Sequence, residues 1–196
     1  MQPTEFVSDD AVARTITFKA TSLRRAQSSP RRVGSRPGLW LCWVTLVPAA
    51  LAFATCLGLG YVPFAPGTFG SAAGLLLWAV LPQSAAAHGT AIVVIFAVGV
   101  WGAGIAEHHF RGTDPAPVVI DEVMGMLVTL FMVPVGWPGA AAGFVLFRIF
   151  DVIKPPPANR LERLRGGLGV MADDFMAAVY ANLALRVALV LAARLG

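Results

Sequence analysis

A chain of 196 residues in which 57% are hydrophobic and only 13% charged lies outside the soluble globular range, where about a quarter of residues carry charge. Its formal charge of +4 comes mainly from an N-terminal arm and from Arg160, Arg163 and Arg165, with no aromatic residues interleaved, which points to an anionic lipid surface and away from nucleic acid. No Asp, Glu, Lys or Arg occurs from Pro37 to Ala106, or again from Val123 to Phe147, so the sequence reads as one membrane domain over residues 37–196 preceded by a tail.

Residues 1–36 lack sustained apolar periodicity and end in SSPRRVGSRPG, so they are expected to form a disordered basic arm. No signal peptide fits, because the apolar run starts too late and no small-residue cleavage site follows it. Residues 39–59 are long enough to span a bilayer, but Pro48 divides them, and the expectation is a re-entrant or interfacial element. The glycines and prolines between Gly58 and Gly74 predict irregular backbone from Tyr61 to Gly67, with Thr68 or Ser71 capping the helix that follows. A helical hairpin is expected over 72–106, turning at Pro82-Gln83-Ser84, with Gly99, Gly102 and Gly104 permitting close helix contact. A second hairpin covers 117–153 and turns between Pro134 and Gly139, and residues 175–195 supply the last helix. Cys42 and Cys56, fourteen residues apart in apolar sequence, suit neither a disulfide framework nor a metal site. The expected fold class is therefore all-α, a polytopic helical membrane protein built of hairpins. Hairpins that go out and back bring the loops at 58–71, 107–122 and 148–174 to one side. Arg111, Arg148, Lys154, Arg160, Arg163 and Arg165 make that side cytoplasmic by the positive-inside rule.

The stretch RIFDVIKPPPANRLERLRGGLGVMADD, Arg148 to Asp174, carries more than half of the charges found after the arm. Arg148, Asp151 and Lys154 recur every three residues and share a sector of a helix that Pro155-Pro156-Pro157 ends. Every acid beyond the arm falls in the two later polar loops: Glu107, Asp114, Asp121, Glu122, Asp151, Glu162, Asp173 and Asp174. Carboxylates beside a bilayer are costly unless paired or bound to a cation. Oxygen donors without a cysteine cluster suit a hard ion, with magnesium the best fit, since it takes few carboxylates together with substrate phosphate oxygens. Arg148 and Lys154 would then hold the phosphate. Each feature also has a plainer reading: Asp121-Glu122 and Asp173-Asp174 as helix starts, Arg148 and Asp151 as a structural ion pair, His108-His109 as solvated residues rather than ligands. What raises the acids above those readings is that separate apolar segments reserve their charges for one side.

GLGYVPFAPGTFGS, DPAPVVIDEVMGM, and FRIFDVIKPPP with GGLGVMADD resemble the signature blocks of the phosphatidylglycerophosphatase A family, in the family's order, over about residues 57–180. The resemblance implies a bacterial inner-membrane enzyme with an all-helical domain that removes the terminal phosphate of phosphatidylglycerophosphate, giving phosphatidylglycerol, with magnesium required. It carries the family's acidic positions onto Asp114, Asp121, Glu122, Asp151, Asp173 and Asp174, with Arg148 and Lys154 also in place. The arm is not part of the family pattern. On this footing Asp121, Glu122, Asp173 and Asp174 are expected to coordinate one or two magnesium ions, and a bound water to attack phosphorus. Asp151 is a further ligand, a general base or a covalent nucleophile. The loop at 61–71 is expected to offer the phosphate backbone donors or the Thr68 and Ser71 hydroxyls. Two rivals are a CDP-alcohol phosphotransferase, whose Asp-Gly step, Ala-Arg and paired aspartates this chain lacks, and a transporter, which would carry charges inside its spans. The sequence leaves the oligomeric state open.

Overall fold

The computed structural model describes residues 37–164 and 166–195. The arm expected at 1–36 lies outside the described residues, as does Arg165. Trp43–Gly196 forms one compact unit, and the site below belongs to it. The described residues form seven α-helices and one 3-10 turn, with no strand among them: α1 (Pro37–Ala54), the turn Leu59–Tyr61, α2 (Pro66–Val80), α3 (Ala85–Phe110), α4 (Ile120–Thr129), α5 (Trp137–Ile153), α6 (Ala158–Leu161) and α7 (Gly167–Leu195). The all-helical expectation is met, and both hairpin turns fall where the prolines and glycines put them.

Two helices, α3 with 26 residues and α7 with 29, are long and apolar enough to cross a membrane. At 1.5 Å per residue they measure about 39 and 43 Å, against a hydrocarbon layer of about 30 Å. α4 is different. Its ten residues span about 15 Å, half that thickness. Nine of the ten are buried, so α4 is enclosed by protein and does not face lipid. It packs against α2, α3, α5 and α7. Close approach on the α2 side comes from Gly70 and Gly74, where a Cβ would press on Val119, Val123 and Met126. On the α5 side, the Phe147 ring fills the space that Gly125 leaves.

A helix that stops midway leaves carbonyls that hydrocarbon cannot satisfy, so such ends survive only where protein supplies donors. Here α7 supplies them. Asn182 Nδ2 donates to the carbonyls of Val128, Thr129 and Phe131 at 3.2, 2.9 and 3.0 Å, and Arg186 Nη2 to those of Phe131 and Met132 at 3.0 and 2.9 Å. Arg186 Nε in turn donates to Asn182 Oδ1 at 2.8 Å, which fixes the orientation of both side chains.

Three boundaries differ from expectation. Pro48 lies inside α1 and does not break it. The helix runs on, and its Ala50 and Ala54 meet the bare backbone of Gly102 on α3, where a Cβ would come 3.1 Å from the Ala50 carbonyl. α2 starts at Pro66 behind Ala65, which has a left-handed φ of 49° and no side-chain cap, so neither Thr68 nor Ser71 caps it. Proline suits this first position because it gives up an N–H that would be orphaned anyway. α7 begins at Gly167, eight residues before the expected 175, and so takes in Asp173 and Asp174. Gly166, with a left-handed φ of 74° and open space around it, does break the chain just before α7, whereas Gly167 and Gly169 lie inside the helix as contact points: a Cβ on Gly167 would strike the Val100 carbonyl of α3, and one on Gly169 the Leu164 carbonyl.

Candidate active site

The N-terminus of α4, the C-terminal half of α5, the first turns of α7 and the start of α2 meet at one end of the unit. Asp121 and Glu122 occupy the first turn of α4, where the helix dipole favours negative charge. Asp174 reaches them from α7. One carboxylate oxygen from each of Asp121, Glu122 and Asp174 lies within 4.8 Å of the others. Asp121 and Asp174 are only 6% and 4% exposed, and Asp121 Oδ1, Glu122 Oε2 and Asp174 Oδ2 are buried without a hydrogen-bond partner. Buried polar atoms left unpaired are rare because each costs on the order of 1–3 kcal/mol, and more when charged. Three of them facing one locale, all hard oxygen donors, is a set that fits a divalent ion such as magnesium.

Asp173 belongs to a different arrangement. Its Oδ2 accepts from Lys154 Nζ at 2.6 Å and its Oδ1 from the Asp174 N–H at 3.0 Å, so both oxygens are engaged. Lys154 caps the C-terminus of α5 with a left-handed φ of 43°, and the prolines that follow carry the chain away toward α6. Tyr180 Oη anchors that turn to α7 by donating to the Pro156 carbonyl at 2.9 Å. Burial opposes the charge on Lys154, but the hydrogen bond and field of Asp173, with Asp174 and Glu162 adding, hold its pKa above the ordinary lysine value.

Arg148 stands on the other flank. Its Nη1 lies 2.8 Å from Asp151 Oδ2 and 3.9 Å from Glu122 Oε1. The Asp151 contact is a charge contact only, since Nη1 has no aligned hydrogen-bond acceptor and keeps its N–H donors to offer. Beside Asp173 opens a cavity of about 680 Å³ lined by Glu107, Thr113, Asp114, Asn159 and Glu162 among others.

The structure therefore brings Asp121, Glu122 and Asp174 together, with Arg148, Asp151, Lys154 and Asp173 around them. Asp114 is exposed on the cavity wall. Thr68 is half-buried in the first turn of α2. Ser71 does not join them: it is fully buried, and its hydroxyl donates to the Gly67 carbonyl at 2.8 Å. His108 and His109 are exposed. Two features escaped the sequence reading. One is Gly67, against which Glu122 and Arg148 lie; its only signal was its place in the Pro66-Gly67-Thr68 step. The other is the Asn182 and Arg186 pair, legible as two polar residues four apart in the mainly apolar part of α7 that follows Asp174.

The family model described as phosphatidylglycerophosphatase A matches residues 52–189, a range that contains all of these groups. The chain belongs to the phosphatidylglycerophosphatase A family. It is thus a phosphatase of a membrane protein family, in keeping with its two long apolar helices. Relatives include a protein from Bacteroides thetaiotaomicron named as a candidate phosphatidylinositol-3-phosphatase, 41% identical over 68% of this chain and 89% of its own length. Phosphatidylglycerophosphatase A of Escherichia coli is 35% identical over 62% of this chain and 73% of its own length. That of Haemophilus influenzae is 33% identical over 70% and 87%. No solved structure matches the chain.

Proposed function

We propose that this phosphatidylglycerophosphatase A family member hydrolyses the terminal phosphate of phosphatidylglycerophosphate to phosphatidylglycerol and inorganic phosphate, using magnesium. The observation that carries the reading is the gathering of Asp121, Glu122 and Asp174, each with a carboxylate oxygen that has no hydrogen-bond partner, beside Arg148, whose Nη1 has no hydrogen-bond acceptor. These three residues would hold the ion. Bound there, magnesium would offset phosphate charge and acidify the attacking water.

The chain's own groups do the rest. Arg148 directs its guanidinium donors at the phosphate oxygens, and Asp151, in charge contact with it, keeps it in place. Asp151 is thus cast as a partner of Arg148 rather than as a nucleophile. Lys154, held charged by Asp173, contributes a second positive group on the opposite flank. Thr68 offers a hydroxyl from the start of α2. A carboxylate of the trio takes the proton of water as its oxygen bonds to phosphorus. The ester P–O bond breaks with its electron pair going to the headgroup oxygen, which takes a proton from solvent and leaves as the alcohol, while the phosphate keeps the second hydrogen of the attacking water and the carboxylate returns its proton to solvent. This is direct hydrolysis, without a phospho-enzyme.

The membrane setting follows the charges. Arg111, Arg148, Lys154, Arg160 and Arg163 gather at the site's end of their segments, and by the positive-inside rule this supports the reading of that end as facing the cytoplasm from a bacterial inner membrane crossed several times. The substrate is then an anionic phospholipid presented from the inner leaflet.

The test is phosphate release by the purified protein in detergent micelles, with phosphatidylglycerophosphate or phosphatidylinositol-3-phosphate, with magnesium or with EDTA. The reading expects magnesium-dependent release from phosphatidylglycerophosphate. Release from the inositol lipid alone would move the substrate to the chemistry named for the Bacteroides relative, and full activity in EDTA would remove the metal.

A further inference from the structure

We infer that Gly67 is a positioning residue of this site: its bare backbone at the first turn of α2 leaves the volume that the Glu122 carboxylate and Arg148 guanidinium occupy, and so sets where both groups stand. The inference rests on the reading of the acids as a phosphatase site. A Cβ placed on Gly67 would fall inside contact distance of Glu122 Oε1, 2.9 Å from Arg148 Nη1 and 3.1 Å from Glu122 Cδ. Conformation does not require glycine here, because Gly67 is helical and has no left-handed φ. Alanine is the better helix former, so a helical glycine gives up propensity. Space is what it supplies.

The other glycines on this face of α2 do something else. At Gly74 a Cβ would meet the Val123 carbonyl and the Met126 Cβ at 2.7 Å, and at Gly70 it would meet the Val119 Cβ and carbonyl at 2.9 Å. Those atoms belong to the α4 backbone or sit directly on it, and they cannot yield without parting the helices. At Gly67 the obstructing atoms are the far ends of two side chains, which can swing aside. An added methyl is therefore compatible with the fold. It is not compatible with the present places of Glu122, which belongs to the carboxylate trio, and Arg148, which belongs to the phosphate flank.

The experiment compares wild type, Gly67→Ala, Glu122→Asp, the double variant and Gly74→Ala, each purified in detergent. Two quantities are read: the midpoint of thermal unfolding with and without magnesium, and kcat/KM for phosphate release. Gly67→Ala is expected to keep the metal-free midpoint of wild type, lose the magnesium-induced rise, and lose about 100-fold in kcat/KM, the scale of a displacement of roughly 1 Å at reacting groups. Gly74→Ala is expected to lower the metal-free midpoint. In the Glu122→Asp background, where the shortened side chain has already withdrawn its carboxylate, Gly67→Ala should add little, because groups acting through one another are non-additive. Equal losses from Gly67→Ala in both backgrounds, a metal-free midpoint lowered as far as in Gly74→Ala, or near-wild-type activity would each overturn the inference. Should wild type hydrolyse no phospholipid phosphomonoester, the proposed function fails, yet the magnesium-induced midpoint still reads whether Gly67 positions Glu122.

Discussion

Four acids look alike in sequence and divide three to one in space. Asp121, Glu122 and Asp174 hold oxygens with no protein partner, whereas both oxygens of Asp173 are taken, by Lys154 and by the neighbouring N–H. Asp174→Asn is therefore expected to abolish the rise in unfolding temperature that magnesium produces, while Asp173→Asn keeps that rise and weakens substrate binding through a misplaced Lys154. Thermal unfolding of both variants with graded magnesium checks this, and loss of the rise in both would return Asp173 to the ion. Lys154→Met leaves the buried Asp173 carboxylate without its cation, with only the Asp174 N–H still donating to it, a change expected to cost about 3 kcal/mol in stability by denaturant unfolding. Because the pKa of Lys154 is raised, its side of the pair with Asp173 stays charged below the ordinary lysine value of about 10.4, and that contribution is lost as pH climbs through the higher folded value. Stability across neutral pH should then not depend on Lys154 titrating. The residue types were legible in the sequence, since charge in so apolar a chain stands out. Which oxygens were committed was not, because that depends on how α7 is rotated about its axis. Adjacent residues on a helix project about 100° apart, and this sends Asp173 and Asp174 to different partners.

The half-length α4 carries two acids of the site on a helix too short to cross the bilayer, so its far end needs closing as much as its near end needs charge. Asn182 and Arg186 do that closing. Asn182→Leu removes donors from three carbonyls and is expected to destabilise by about 1–3 kcal/mol, with kcat/KM of the remaining folded protein close to wild type. A thermal melt paired with active-fraction kinetics measures it; an unchanged melting temperature would mean that those carbonyls find other donors. The hairpin over 117–153 was legible from its Pro134 to Gly139 turn. The brevity of its first leg was not, because hydropathy does not separate a helix buried in protein from one facing lipid. The same ambiguity hid the start of α7. Gly167 and Gly169, beside the left-handed Gly166, look like further breaks in one dimension, and only the Val100 and Leu164 carbonyls lying against them show why glycine is compatible with helix there.

Across the whole molecule, apolar stretches that exclude charge and short polar segments that collect it anticipated the arrangement, in which α2, α4, α5 and α7 bring their polar ends together. Pro48 was the misleading signal, since a proline accommodated within α1 looks the same in sequence as one that ends a helix. Membership of the phosphatidylglycerophosphatase A family and the geometry point to one central claim: carboxylates of α4 and α7, far apart in sequence, form a single cation-holding centre for phosphomonoester hydrolysis. The most direct measurement is magnesium-dependent phosphate release from phosphatidylglycerophosphate by wild type and Asp174→Asn, both shown to be folded by thermal melting. The claim predicts a loss of at least about 100-fold in kcat, the scale on which removing a charge-stabilising group from a catalytic centre is felt. A folded Asp174→Asn protein that releases phosphate at close to the wild-type rate, with the same magnesium requirement, would contradict it.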